Sequence, residues 1–188
     1  RIASEQAQEA DRLQKASGNN QVRQFHEVLD DLLAEFSFDV RKGQISGLKN
    51  VAIRKVELSE AIPNTYEQYV ELLVSERIQQ NSKVRLISCV ACRTKVSTLV
   101  DRKLFISSAE TNMARLQTVA AQNGIENFMD IVLVYHATHM VIAFQVFNAK
   151  TQDLMWAKAY NSETIKSRYQ KLAIDYKQVV KARESDEY

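Results

Sequence analysis

The sequence predicts one α/β domain of the α+β type, in which helices cover a mixed sheet, with a helical amino-terminal extension. Two observations favour this class: strand-like and helix-like hydrophobic patterns alternate through the middle of the chain, and three strand-like runs then follow one another closely. Short connections require antiparallel strands, whereas a strand, a helix and another strand favour a right-handed parallel crossover. We therefore divide the 188 residues into an extension, residues 1–48, and an α/β domain, residues 49–188.

The extension is predicted to contain a thin helix or a mobile tether followed by a firm helix. Residues 4–17 have a helix-favouring composition but few apolar positions, which is typical of a thin helix or a mobile tether. Residues 17–20 are predicted to break this helix, with Asn20 as the cap of the next one. In residues 22–36 the apolar side chains recur at helical spacing, so this segment is expected to bury one face.

The first half of the α/β domain is predicted to alternate between strands and helices. Residues 51–58 are rich in β-branched side chains and predict a strand. Thr65 is placed to cap the next helix, with Gln68 positioned to complete a capping box. Two further elements are predicted: a second strand at 84–90 and a short hairpin built from 96–99 and 104–106.

The second half contains a helix and three closely spaced strands. The helix is predicted to begin at Thr111 or Asn112 and to end at Gly124, because glycine favours the left-handed conformation that stops helices. The strands are predicted at residues 131–135, 140–147 and 154–160. Trp156 alternates with its neighbours in the last strand, so we expect its side chain to be buried.

A final helix is predicted from about residue 162 to beyond residue 180. Its apolar positions alternate in steps of four and three, which is heptad spacing. This stripe predicts either a helix that covers the sheet or an interface for self-association or docking: Ile165, Tyr169, Leu172, Tyr176 and Val179.

Composition and charge exclude several classes of function. The net charge of +2 gives no reason to expect a nucleic-acid partner. No run approaches the roughly 20 apolar residues that a membrane helix needs, and a chain with four glycines contains no glycine-rich phosphate loop. No serine lies in a nucleophile elbow and no carboxylate pair is recognisable, so we predict that the protein is not an enzyme and has no cofactor.

The two cysteines, Cys89 and Cys92, form the one motif with intrinsic chemistry. A redox-active pair requires its first cysteine at a helix N-terminus, whereas this pair follows a predicted strand. A zinc site is conceivable if His136 and His139 supply the other two ligands. The remaining interpretation is a local disulfide, or two free thiols, at the end of a strand.

Three local phrases resemble a group of bacterial envelope proteins. They are residues 50–53 (NVAI) with the following helix at 69–73 (YVELL), residues 116–125 (LQTVAAQNGI), and residues 144–157 (FQVFNAKTQDLMWA). The group includes the curli-export channel subunit, flagellar outer-membrane lipoproteins, lipoprotein activators of peptidoglycan synthases and the amino-terminal domain of TolB. The family hairpin usually has glycine at the position of Gln152.

The resemblance covers residues 50–162 and implies an anticodon-binding-like fold. It also implies a periplasmic location, a lipid upstream of residue 1 that anchors the protein to the outer membrane, and assembly into homo-oligomers with other envelope proteins. The function that it implies is that of a structural subunit of an envelope machine: a secretion channel, a flagellar outer-membrane collar or a polysaccharide exporter. In such an oxidising compartment Cys89 and Cys92 are expected to be bridged.

Two further hypotheses remain open at this point. One is a small metal-responsive or redox-responsive domain that uses the Cys-x-x-Cys pair. The other is a periplasmic adaptor that activates an envelope enzyme without forming a ring.

Overall fold

The computed structural model describes residues 2–93, 96–100, 103–107, 112–136 and 139–165. In chain order the elements are α1 (Ile2–Arg41), β1 (Val51–Leu58), α2 (Tyr66–Asn81), a 3-10 turn (Ala91–Arg93), β2 (Val96–Val100), β3 (Lys103–Ser107), α3 (Met113–Asn123), β4 (Asn127–His136), β5 (His139–Asn148) and β6 (Leu154–Asn161). No helix in these ranges has the length and hydrophobicity needed to cross a bilayer.

The main sheet has the strand order β1-β4-β5-β6. β1 pairs in parallel with β4, and the connection between them contains α2, the hairpin of β2 with β3, and α3. β4, β5 and β6 pair antiparallel through short connections. The predicted fold class, a mixed sheet covered by helices with a helix at the amino terminus, is therefore confirmed.

The main core lies between one face of this sheet and helices α1 and α2. Alternate residues of β4 and β5 point to this side because successive side chains of a strand face opposite ways. Among the α1 side chains that the structure describes, the first buried one is Phe25; the buried residues of α2 are Val70, Val74 and Ile78. The carboxyl-terminal part of α1 thus packs on the sheet. The predicted boundary between residues 48 and 49 stays a prediction.

An aromatic cluster joins α1 to the sheet. The rings of Phe36 and Phe144 stack with their centroids 4.2 Å apart. The ring centroid of Trp156 lies 6.3 Å from that of Phe36 and 6.0 Å from that of Phe144. The side chain of Trp156 is half-buried at the border of the core. Trp156 is therefore less buried than expected, because it belongs to β6, the outermost strand of the sheet.

The predicted break at residues 17–20 is wrong, because α1 runs without interruption from Ile2 to Arg41. Glycine in a helix costs only about 1 kcal/mol relative to alanine. That cost is local, and the helix continues into a segment held by packing from Phe25 onward. A weak breaker therefore did not end the helix.

The second predicted strand, residues 84–90, is reduced to a single bridge. Val51 donates its amide to the carbonyl of Arg85 and accepts a bond from the amide of Ile87, at 2.9 and 2.8 Å. This gives one parallel bridge between Val51 and Leu86. The chain then leaves the edge of β1 for the 3-10 turn, so the β-branched composition of the run did not produce a ladder.

The ends of the two shorter helices follow different rules. Asn112 accepts a bond from the amide of Arg115 at 3.3 Å, and Gly124 ends α3 in the left-handed conformation, with φ of 68°, as predicted. Thr65 makes no side-chain cap bond, so the predicted capping box is wrong. Its dihedral angles are already helical, whereas a capping residue is normally extended.

The remaining predicted strands are confirmed. β2 and β3 form a separate two-stranded antiparallel sheet. β5 and β6 are slightly longer than predicted, whereas β4 begins at Asn127, four residues earlier than predicted, and has twice the predicted length. In the turn between β5 and β6, Gln152 has a φ of 65°, the conformation that glycine favours. The turn is held by Asn148, whose side-chain oxygen accepts bonds from the amides of Lys150 and Thr151, each at 2.9 Å.

Candidate functional site

Cys89 and Cys92 lie where the bridge segment turns into the 3-10 turn, and their sulfur atoms are bonded to each other. Both cysteines are buried, and they pack in a second apolar cluster with Leu116 of α3 and Phe128 of β4. A reactive pair needs an exposed thiol at a helix N-terminus, and this pair has neither feature. Its geometry is that of a structural cross-link beneath α3.

The predicted zinc quartet does not assemble. His136 and His139 pair with each other at the far end of the β4–β5 hairpin. The cysteines pack around Phe128, which lies eight residues earlier on β4, and this spacing amounts to about 26 Å along a strand. Within the described residues, no group of three or more His, Cys, Asp or Glu side chains is placed to hold a metal ion.

The predicted interface stripe is only partly described. Ile165 is 6% exposed and belongs to the main core, so this residue is not available to a partner. Tyr169, Leu172, Tyr176 and Val179 lie outside the described residues. For Ile165 the structure agrees with the interpretation that the stripe covers the sheet.

The second face of the main sheet carries the candidate site. At one end of this face, α3 and the disulfide segment cover Ala52 and Phe128. The rest forms a shallow depression of about 460 Å³ that no described element covers. We call this surface the open face and define its floor by four small residues: Val132, Ala143, Ala157 and Ala159.

Polar side chains surround this apolar floor. Arg54, which occupies a bulge in β1, donates two bonds to the carboxylate of Asp130, from Nε at 2.9 Å and from Nη2 at 2.5 Å. Lys55 pairs with Glu57 at 3.0 Å on the same strand. A bidentate, largely buried arginine pair has a fixed orientation, so this rim presents charges of defined position.

The open face extends beyond the floor toward the end of the β4–β5 hairpin. Val134 has the same strand parity as Val132 and is 41% exposed. An exposed apolar sheet surface with a polar rim is typical of a protein-binding site.

Sequence reasoning missed this surface. A signal was present, since Ala157 and Ala159 alternate with Trp156, Lys158 and Tyr160 along β6. Alanine at alternate positions of a strand indicates that this side of the strand does not contribute large side chains to a core. The pattern could be assigned to the open side only when the position of α1 on the other face was known.

A polar cluster fixes α1 to β6 on the covered face. Asp39 of α1 accepts a bond from the hydroxyl of Tyr160 at 2.7 Å and from Nζ of Lys158 at 2.5 Å. Burial raises the pKa of the Tyr160 hydroxyl, and the bond to Asp39 raises it further. This cluster positions the helix and lies on the side of the sheet opposite the open face.

No known protein family matches the chain, and no curated protein matches it. The LpoB C-terminal domain from Salmonella enterica is similar at 9% identity and a TM-score of 0.43, covering 65% of this chain and 91% of that one. The LpoB C-terminal domain from Escherichia coli has 10% identity and a TM-score of 0.41, covering 61% and 80%. A lipoprotein from Neisseria meningitidis has 8% identity and a TM-score of 0.38, covering 60% and 78%. All three TM-scores are below 0.5, so nothing about the function of this chain is taken from them.

Proposed function

We propose that this chain is a non-enzymatic assembly domain of the bacterial cell envelope, which binds another envelope protein through its open face. The observation that carries the proposal is the unequal covering of the sheet. One face is buried under α1 and α2, whereas, among the described elements, only α3 and the disulfide segment cover the other, and they cover one end of it.

The open face suits a protein partner better than a small molecule. Its floor is made of alanine and valine side chains, which let a second backbone approach closely, and its depression is wide and shallow. The rim charges of Arg54 with Asp130 and of Lys55 are placed to orient a partner. Charges at a rim add specificity and association rate more than affinity.

The envelope location rests on the resemblance of residues 50–162 to envelope proteins and on the disulfide. A buried disulfide between Cys89 and Cys92 fits an oxidising compartment such as the periplasm. By the same resemblance we propose attachment to the outer membrane through a lipid upstream of residue 1, and homo-oligomers within a secretion channel, a flagellar collar or a polysaccharide exporter.

A second candidate is a periplasmic adaptor that activates an envelope enzyme without forming a ring. The open face serves this function equally well, since it needs only one protein partner. The mass of the native assembly separates the two: a ring of identical subunits supports the structural subunit, and a complex of one copy with an enzyme supports the adaptor.

Site-specific photo-crosslinking in the bacterial periplasm tests the proposal. A photoreactive residue at the exposed position Ala157 of the open face is compared with one at Ala114, an exposed position on α3. We expect position 157 to capture a discrete envelope protein or a second copy of this chain, and position 114 to capture neither.

The binding control keeps the photoreactive residue at position 157 and changes a second site. Ala159→Arg is expected to abolish the crosslinked complex because it places a long charged side chain over the floor, whereas Ala114→Arg should leave the complex intact. A crosslink from position 157 to residues 166–188 of its own chain would overturn the proposal, because the chain itself would then cover the face.

A further inference from the structure

A second depression lies at the opposite side of the main core from the β4–β5 hairpin. It is formed where α1 ends, by the following loop of residues 42–50, by the end of α2, and by residues 82–85. Its volume is about 520 Å³, within the roughly 300–1,000 Å³ range of small-molecule sites. We call it the basic pocket.

The charge of the basic pocket is of one sign. Arg41, Lys49, Lys83 and Arg85 line it, and no aspartate or glutamate does. Lys49, Lys83 and Arg85 are exposed and make no ion pair with any described residue. The cations that pair with no described residue, Lys49, Lys83 and Arg85, come from two loops and repel one another, so their proximity favours a bound anion.

Basic residues near helix C-termini often serve only to neutralise the carbonyl groups there. In this protein neutral donors already occupy those carbonyls. Asn81 donates to the carbonyl of Arg77 at 2.8 Å and Ser82 to that of Ile78 at 2.7 Å. At the end of α1, the amides of Lys42 and Gly43 donate to Phe38 and Val40, each at 3.0 Å.

One wall of the pocket is held rigidly. Asn50 has a φ of 47°, and its carbonyl accepts bonds from the amides of Glu126 and Asn127 at 3.0 and 3.3 Å. The side chain of Asn127 donates to the carbonyl of Lys49 at 2.9 Å. The backbone that carries Lys49 is thus fixed to the start of β4, which pre-organises the site for a ligand.

We propose that the basic pocket binds a phosphate-bearing small ligand. Phosphate suits the two arginines because a guanidinium group presents paired donors that match its oxygens. The lysines supply the remaining positive charge around the same anion. The phosphate group is carried either by a free ligand or by a lipid headgroup, and the two sources are distinguished below.

The test is calorimetric titration of the full chain with inorganic pyrophosphate at low ionic strength. The pocket variant is Lys49→Ala with Lys83→Ala. The matched control is Arg115→Ala with Lys150→Ala, which removes two exposed cations that lie away from the pocket. We expect saturable binding that weakens by about tenfold or more in the pocket variant, since two charge-assisted contacts are lost, and that is unchanged in the control.

Sedimentation with vesicles identifies the source of the phosphate. Binding to phosphatidylglycerol vesicles that depends on Lys49 and Lys83, but not on Arg115 and Lys150, assigns a lipid headgroup. Pyrophosphate binding without vesicle binding assigns a free ligand. Equal weakening in the two double variants, no saturable binding to either probe, or tighter binding of a glutamate-rich peptide than of pyrophosphate would overturn the proposal. Circular dichroism of both variants verifies that they are folded.

Discussion

The hydroxyl of Tyr160 donates a hydrogen bond of 2.7 Å to the carboxylate of Asp39, which joins the last strand of the sheet to the first helix of the chain. Both residues are buried. A buried carboxylate is costly unless its oxygens are bonded, and here Tyr160 and Lys158 supply donors to one oxygen. The pair therefore holds α1 at one position on the sheet.

Tyr160→Phe is expected to lower the free energy of unfolding by about 1–2 kcal/mol, because it removes a bond to a charged acceptor and leaves the ring packing intact. Urea denaturation measures the loss. Tyr69→Phe is the control, since Tyr69 is partly exposed on α2 and its hydroxyl contributes to no such cluster. An equal loss in both variants would show that the Tyr160–Asp39 bond contributes nothing specific.

The same bond predicts a dependence of stability on alkaline pH. Burial and the bond to Asp39 raise the pKa of Tyr160 above its ordinary value of about 10. The stabilisation from Tyr160 is therefore complete below pH about 10, where the unfolded chain is also protonated, and is lost as the pH rises further. The stability difference between wild type and Tyr160→Phe should stay constant up to that pH and shrink above it. A difference that grew with alkaline pH would contradict the sign of this shift.

Replacing Cys89 and Cys92 with alanine should cost about 2–3 kcal/mol, because the bridge closes a loop of only four residues and cross-links of short loops stabilise least. The fold and the crosslink from the open face should persist, since both cysteines lie under α3. Chemical unfolding of the variant and of reduced wild type should give similar losses. Stoichiometric zinc in the wild type that disappears in the variant would refute a purely structural pair.

Truncation of Phe36 and of Trp156 to alanine should lower the free energy of unfolding by different amounts. Phe36→Ala empties a fully buried site and should cost about 3–5 kcal/mol, whereas Trp156→Ala, at the half-buried border, should cost about 2–3 kcal/mol. Thermal and chemical denaturation measure both. Trp156 is the single tryptophan, so its fluorescence in Phe36→Ala reports whether α1 still packs beside it. Equal costs would mean that the border position is fully part of the core.

The sequence was sufficient wherever one local rule determined the outcome. Gly124 ended α3 because only the backbone at that position decides the left-handed turn. The runs that became β4, β5 and β6 were recognisable because their β-branched and aromatic residues are bounded by turn residues. In each case the local preference and the tertiary structure agree.

Local sequence patterns did not predict the structure correctly where contacts with distant residues determine it. Residues 17–20 resemble a helix break, yet α1 continues through them toward the part that packs on the sheet from Phe25 onward. The run at 84–90 has strand composition, yet only Leu86 finds a partner on β1. The open face and the basic pocket depend on which helices cover which surface, and hydrophobic periodicity carries no such information.

The contact between α1 and β6 also sets the order in which the chain can fold. Asp39 and Tyr160 are separated by 121 positions, so the ribosome makes the helix long before the strand that receives it. Until β6 has been synthesised, the apolar side of α1 has no complete sheet to rest on, and exposed apolar surface of this kind favours aggregation. The contact between α1 and β6 therefore forms only after most of the chain has been made.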